Sequence, residues 1–379
     1  MTRRAVILDG NPQVPPGATA DGRALLAACG GNTGNLAFRF AVSAHLPEHV
    51  HLPWSAPVER IRAAGDVLVL PLANQLGPHT DLGEQADKIL ATGLPVIGLG
   101  LGAQAPDTRT PVVLTPGTRR WLRAILDRPP AAAPNLGLRG AFTEAQVRRF
   151  AAVPGIAVIG CPSNLIALDT DIAAAVAEGF RRPFARIAVT AGIAHVPALR
   201  GIEQALARLV TRTEGAYIVQ HDLEMVQVAR GEFDALAPEQ VRRITDYVLP
   251  GATAAEFQAW ARRHARVLAG IEAWMSCLRR FDFVTGTRFH GVMLALQAGV
   301  PAGCIAHDSR TQEMCVTMGV PVVEATQLAG PITPESLRAA FSFDPDRFRQ
   351  ARRSLAARYL GILDAAGLAV APALRRLAA

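Results

Sequence analysis

The stretch FDFVTGTRFHGVMLALQAGVP runs from Phe281 to Pro301. Its opening is apolar, carries the β-branched Val284, and reads as a buried strand. Its second half, GVMLALQAG, reads as a helix ending at Gly299, with Pro301 beyond it. TGTRFH is therefore a strand-to-helix turn. In an open α/β sheet such turns lie at the carboxyl edge of the strands, where ligands bind. The first N–H groups of the helix are unpaired and carry partial positive charge. A guanidinium at Arg288 and an imidazole at His290 beside them make a site for a phosphate or a carboxylate. The competing structural reading is a surface arginine next to a capping histidine.

The same alternation of short apolar runs and helical patterns extends along the whole chain, which argues for βαβ units and parallel sheets. AVILDG, DVLVLPLA, LPVIGLGLG, NLGLRG and IAVIGCP are strands of a first set; ARIAVTAG, AYIVQHD, FDFVTG, AGCIAHD and VPVVEA form a second. Helices are expected near 35–44, 82–92, 119–126 and 144–152, then near 201–211, 238–247, 254–278, 290–298 and 310–318. Two more close the chain, at 334–341 and 344–365. The expected fold is α/β, with two Rossmann-like domains facing a cleft: residues 1–170, and 171–379 with the terminal helices. In the last helix Phe348, Ala351, Leu355, Tyr359 and Ile362 share one stripe, so it should pack back on the fold.

With 379 residues and half of them hydrophobic, the chain can bury two cores. The formal net charge is +7, but the arginines are dispersed, Lys88 is the sole lysine and aromatics are 6%. That pattern does not make a nucleic-acid surface. Five cysteines without a C-x-x-C pair make a disulfide framework or a zinc site improbable, and they read as small buried hydrophobes. The apolar run after Arg4 is too short for a signal peptide. The uncharged run after His290 is too broken by glycine and proline for a membrane helix. A cytoplasmic protein is expected, peripheral at the inner membrane at most.

TRFHGVMLALQAGVP followed by AHDSRTQEMCVTMGVP resembles the signature of the polysaccharide pyruvyl transferase family. In that signature an Arg-x-His opens a helix and, after the next strand, an Asp precedes a basic residue by two positions. Here these are Asp308 and Arg310. GGNTGNLAF resembles the N-terminal turn of the family, with Asn32, Gly34 and Asn35 at its motif positions. LPVIGLGLGAQAP, LGLRG with Arg139, and IGCPSNL resemble further turns, so the likeness spans roughly Gly30 to Val323. It departs after the second strand, where many relatives carry a glycine-rich turn and this chain has Pro71-Leu72-Ala73-Asn74.

The resemblance implies a GT-B-like fold and transfer of a pyruvyl group from phosphoenolpyruvate to the hydroxyls of a sugar, forming a ketal. The acceptor would be a sugar or oligosaccharide of an exopolysaccharide or its lipid-linked precursor. Phosphoenolpyruvate would be a co-substrate, with no further cofactor and no metal. Such chemistry needs cations for carboxylate and phosphate, plus an acid/base group. Arg288, His290 and His221 are the catalytic candidates. Arg139, Arg288, His290, Asp308 and Arg310 are the donor-binding candidates, and Asn32, Gly34, Asn35 and Glu313 the acceptor-binding ones. A His221-Asp222 pair after AYIVQ could relay protons or merely close a surface turn. His195 sits in a loop. Two other readings stand beside this one. A GT-B glycosyltransferase with a nucleotide-sugar donor is weakened because no E-x7-E pattern is evident. A non-catalytic member binding a glycan or an anion would have less use for Arg288 and His290.

Overall fold

The structure, a computed structural model, describes residues 2–8, 11–150, 155–168, 171–328 and 330–379. Asp9-Gly10 at the end of the first expected strand, Ala151-Ala152 at the end of an expected helix, and Asp169-Thr170 at the expected domain boundary lie outside the described residues.

Two six-stranded, wholly parallel sheets organise the molecule. The first contains β1 (Ala5–Leu8), β2 (His49–Leu52), β3 (Val67–Pro71), β4 (Val96–Leu101), β5 (Leu136–Leu138) and β6 (Ile156–Val158), in the order β2-β1-β3-β4-β5-β6. The second contains β7 (Ile187–Thr190), β8 (Ala216–Val219), β9 (Ala265–Val267), β10 (Phe283–Gly286), β11 (Ala302–Ala306) and β12 (Val322–Glu324), in the order β12-β11-β10-β7-β8-β9. Central strands such as β1, β3, β7 and β10 are buried along their full length, as expected where helices cover both faces. The fold is the expected pair of Rossmann-like lobes in a GT-B-like arrangement. In the second sheet the order reverses between β7 and β10, and the turn after β10 carries Arg288.

Of the four edge strands, β2 and β9 differ from the expectation. His49–Leu52 was not expected as a strand, because HVHL is short and only half apolar. The single helix expected over 254–278 divides into helices Ala254–His264 and Ile271–Leu278, and β9 runs between them to pair with β8. A three-residue edge strand has too little local propensity to show in a sequence, and only the open edge of the sheet selects it.

The long helix Pro345–Ala365 starts where expected. Asp344 caps it with an oxygen that accepts from the N–H groups of Asp346 and Arg347, and Pro345 occupies its first turn. Phe348 and Leu355 join the core of the second lobe. Tyr359, Ile362 and Leu363 pack with Ala5, Ile7, Val67, Val69, Ile97 and Leu99 on the first sheet. Ala351 is only half-buried, and Arg352 takes the inner position instead, donating to the carbonyls of Asn164 and Ala167. The helix thus crosses from the second lobe to the first. His45 pins it there, with Nδ1 3.1 Å from the Tyr359 hydroxyl and Nε2 2.8 Å from the Leu165 carbonyl. No helix among the described residues is long and apolar enough to cross a membrane.

Candidate active site

The turn after β10 is built by close approach. Gly286 has φ +142°, and a Cβ there would lie 2.2 Å from the Thr190 carbonyl oxygen. Gly291, one turn into helix Phe289–Gln297, lets Thr190 come as near. The Thr190 hydroxyl donates to the Arg288 carbonyl at 3.0 Å, so the end of β7 holds the backbone of the turn. Behind it lies Glu203, fully buried. Its carboxylate accepts from the Thr287 hydroxyl (2.9 Å), the Gly192 N–H (3.0 Å) and the Tyr217 hydroxyl (2.6 Å). Burial raises the Glu203 pKa, and these bonds and Arg288 oppose the rise. Sequence reasoning passed over Glu203 because it sits inside an ordinary amphipathic helix, Arg200–Arg212.

Arg288 is 7% exposed, and its Nη2 has no hydrogen-bond partner. Burial, then Arg310, lower its pKa to about 10. Arg310 reaches Asp308 at 3.3 Å. Asp308 caps helix Ser309–Met318 by accepting from the Thr311 N–H, and its second oxygen faces Arg310. Burial works against its ionisation, but Arg310, His307 and Thr311 prevail and lower its pKa. His290 is half-buried, and burial followed by Arg139, Arg310 and Arg288 pushes it well below the usual histidine range. His221 falls to about 4 through burial, Arg288 and Arg310. Both imidazoles are neutral in this environment.

The first lobe contributes the opposite wall. Arg139, 1% exposed, follows β5, and burial lowers its pKa. The glycine turn makes its path: a Cβ at Gly102 would stand 2.8 Å from its Cδ, and Gly100, at φ +88°, admits Pro162. In the departing turn after β3, the Leu72 carbonyl accepts from Arg139 Nη2 at 3.4 Å. Cys161 was read from sequence as a buried hydrophobe. It is buried, but its sulfur lies 3.6 Å from His290 Nε2, accepts from the Ser163 hydroxyl at 3.1 Å and interacts with Arg139. A thiol between a guanidinium and an imidazole is part of the site; only spatial proximity reveals it, since the spacing from Cys161 to His290 is non-local.

The residues expected on the acceptor side are engaged within the protein itself. The Asn35 carboxamide donates to the carbonyls of Cys29 and Gly30 and closes the preceding turn. Asn32 Oδ1 accepts the Gly34 N–H, and its backbone bridges to His221. Gly34 is needed for approach: a Cβ would meet Gln220 Oε1 at 2.7 Å and His290 Cβ at 3.2 Å. This turn is scaffolding that seats the first lobe against β8 and His290. Glu313 accepts from the Thr143 N–H (2.6 Å) and hydroxyl (2.8 Å), so it caps the start of helix Ala141–Phe150 across the seam between the lobes. A buried carboxylate with both oxygens so engaged ties one lobe to the other. Of the two readings of His221-Asp222, the structure fits the closed turn, with no hydrogen bond or ion pair between the two side chains among the described residues. Asp222, at φ +71°, turns its carboxylate to His195 Nε2 at 3.0 Å, and Glu224 lies 3.3 Å from the same nitrogen. Glu224 is held by Arg243 as well, so the two carboxylates are already shared between His195 and Arg243.

Arg139, Arg288, His290, His221, Asp308 and Arg310 therefore come together, from both lobes. Around them, buried polar atoms without hydrogen-bond partners accumulate: Arg139 Nε, Arg288 Nη2, Arg310 Nε and His221 Nδ1. Buried polar groups are normally paired, because leaving one unpaired costs about 1–3 kcal/mol. Clustered exceptions with cationic character are what an anion-binding site needs.

A family model described as polysaccharide pyruvyl transferase matches residues 65–309, more than half of the chain. No curated protein matches it. Among solved structures, UDP-N-acetylglucosamine 2-epimerase from Rickettsia bellii is similar at 8% identity over 96% of each chain, with a TM-score of 0.46. A UDP-glucose: anthocyanidin 3-O-glucosyltransferase in complex with UDP is similar at 11% identity over 95% of this chain and 94% of the other, with a TM-score of 0.36.

Proposed function

We propose that this chain, which belongs to the polysaccharide pyruvyl transferase family, transfers the pyruvyl group of phosphoenolpyruvate to two hydroxyls of one sugar, forming a cyclic ketal. The observation that carries the donor assignment is the convergence of Arg139, Arg288 and Arg310 on one buried seam with unpartnered guanidinium nitrogens. A donor with one carboxylate and one phosphate supplies the opposite charge and several acceptor oxygens. Arg288 and Arg310 hold the phosphate, and Arg139 takes the carboxylate. The acceptor belongs to an exopolysaccharide or its lipid-linked precursor, and the reaction runs in the cytoplasm.

The chemistry follows in four movements. The methylene carbon of the donor gains a proton, which leaves an oxocarbenium-like centre at C2. The first sugar hydroxyl adds there and loses its proton. The C2–O bond to phosphate then breaks, and phosphate departs with the electron pair. The second hydroxyl adds to C2. Of the two hydroxyl protons, one ends on the former methylene carbon and the other on phosphate. His290 and His221 are depressed imidazoles, ready to accept a hydroxyl proton, and a neighbouring dianion would raise their pKa enough to hand it on.

Proton NMR of the protein with phosphoenolpyruvate and an oligosaccharide should show a new ketal methyl singlet, with phosphorus NMR showing one inorganic phosphate per ketal. Phosphate release without a ketal methyl, or stabilisation by UDP-sugars and none by phosphoenolpyruvate, would overturn the proposal.

A further inference from the structure

Next to the cationic seam lies a groove of about 400 Å³, within the ~300–1,000 Å³ typical of small-ligand sites. The first lobe supplies its Asp107 and Arg109, and the second supplies His307, Asp308, Gln312 and Glu324. The Ser309 hydroxyl joins the lobes at this place, bonding the Ala105 N–H and carbonyl at 3.0 Å each. The groove and the seam share Asp308, whose carboxylate reaches Arg310, and His307, which is depressed by burial and by Arg310 and Arg288.

Their charges are opposite. Asp107, Asp308 and Glu324 line the groove against Arg109 alone. Asp107 is kept ionised by the N–H groups of Arg109 and Thr110. A diphosphate or a donor trianion is repelled here and attracted one step away, at Arg288 and Arg310. What remains recognisable is a neutral polyol. Carboxylates and a carboxamide accept and donate to hydroxyl pairs, and Leu199 with Ala325 offers apolar surface to the carbon face of a ring. Two further atoms, Gln312 Oε1 and His307 Nδ1, are buried without hydrogen-bond partners.

We infer that this groove is the acceptor subsite, and that it takes a neutral hexopyranose unit rather than an anionic or nucleotide-bearing one. This rests on the pyruvyl-transfer reading, and it moves the acceptor away from the Asn32–Asn35 turn. A pyranose seated there presents its hydroxyls past Asp308 and His307 to the donor carbon.

Saturation-transfer NMR with millimolar methyl hexopyranosides, and with a UDP-hexose as the anionic probe, tests this on the intact chain. The wild type should transfer saturation to at least one neutral pyranoside, which the UDP-hexose fails to displace. Gln312→Ala and the surface variant Glu324→Lys should each weaken that pyranoside at least fivefold. The thermal shift induced by phosphoenolpyruvate should persist in both. Unchanged sugar binding in both variants, no pyranoside binding to the wild type, or displacement by the UDP-hexose would overturn the groove assignment. Sugar binding that is lost in the variants, in a protein that phosphoenolpyruvate never stabilises, would instead sink the donor assignment and leave the groove standing.

Discussion

Replacing Arg288 by alanine separates the donor site from the scaffold beneath it. The bonds that shape the turn do not use its side chain: Thr190 bonds its carbonyl, and Thr287 bonds Glu203. The side chain is 7% exposed, has an unpartnered Nη2 and is opposed by Arg310. Its removal relieves a burial cost and the repulsion of Arg310 but gives up attraction to Glu203, Asp308 and Asp222, so the unliganded variant should melt close to the wild-type temperature. Binding should respond far more. A guanidinium fork gives two charge-assisted bonds worth about 1.5–3 kcal/mol each. Losing both weakens phosphoenolpyruvate by about two to four powers of ten, at ~1.4 kcal/mol per tenfold. At a donor concentration a hundredfold above the wild-type Kd, linkage stabilises the wild type by about 2.7 kcal/mol. With affinity down a hundredfold, the same concentration stabilises the variant by only about 0.4 kcal/mol. Differential scanning fluorimetry with calorimetric titration reads both quantities, and Arg288→Lys should recover part of the loss because a point charge lacks the fork. A wild-type donor shift in Arg288→Ala would refute the assignment of this arginine to the donor.

Stability should fall with acid before the carboxylates titrate. His45 is buried at a pKa of about 4, against about 6.5 unfolded. Between those values the unfolded chain binds the extra proton, so stability rises with pH across the window and is lost as pH falls through it. By pH 5 this one group costs about 2 kcal/mol, and His45→Gln should flatten the slope of urea midpoints between pH 6.5 and 5. Glu313→Ala should destabilise by about 2–4 kcal/mol, since it strands the Thr143 N–H and hydroxyl. The folded fraction should keep its KM for the acceptor, and a large rise in that KM would return Glu313 to acceptor binding. Deleting residues 345–379 should abolish soluble expression. It removes the buried Phe348, Leu355, Tyr359, Ile362, Leu363 and Leu374, each worth ~1.5–3 kcal/mol, and uncovers partners such as Ile7, Val69 and Leu99, against a total stability of about 5–15 kcal/mol. A soluble truncation with an unchanged melting temperature would contradict the packing described.

Runs such as AVIL and VLVLP announced parallel strands because burial on both faces requires continuous apolar residues, and that demand is local. The turn from Gly286 to His290 was legible for the same reason: strand, glycine, basic residues and apolar helix follow one another within a few positions. The last long helix was legible because the stripe from Phe348 to Ile362 recurs at helical spacing, which is also a local pattern. Only the tertiary structure decided the strands His49–Leu52 and Ala265–Val267, which borrow their order from a neighbour. It also decided that Asn35 bonds its own turn, that Glu313 ties one lobe to the other, and that Asp222 answers His195 rather than the adjacent histidine. The partnership of Cys161 with His290 spans 129 residues. A polar side chain is free to satisfy itself with any group within about 3 Å, and which group that is depends on how the lobes dock, a property that no local pattern of residues encodes.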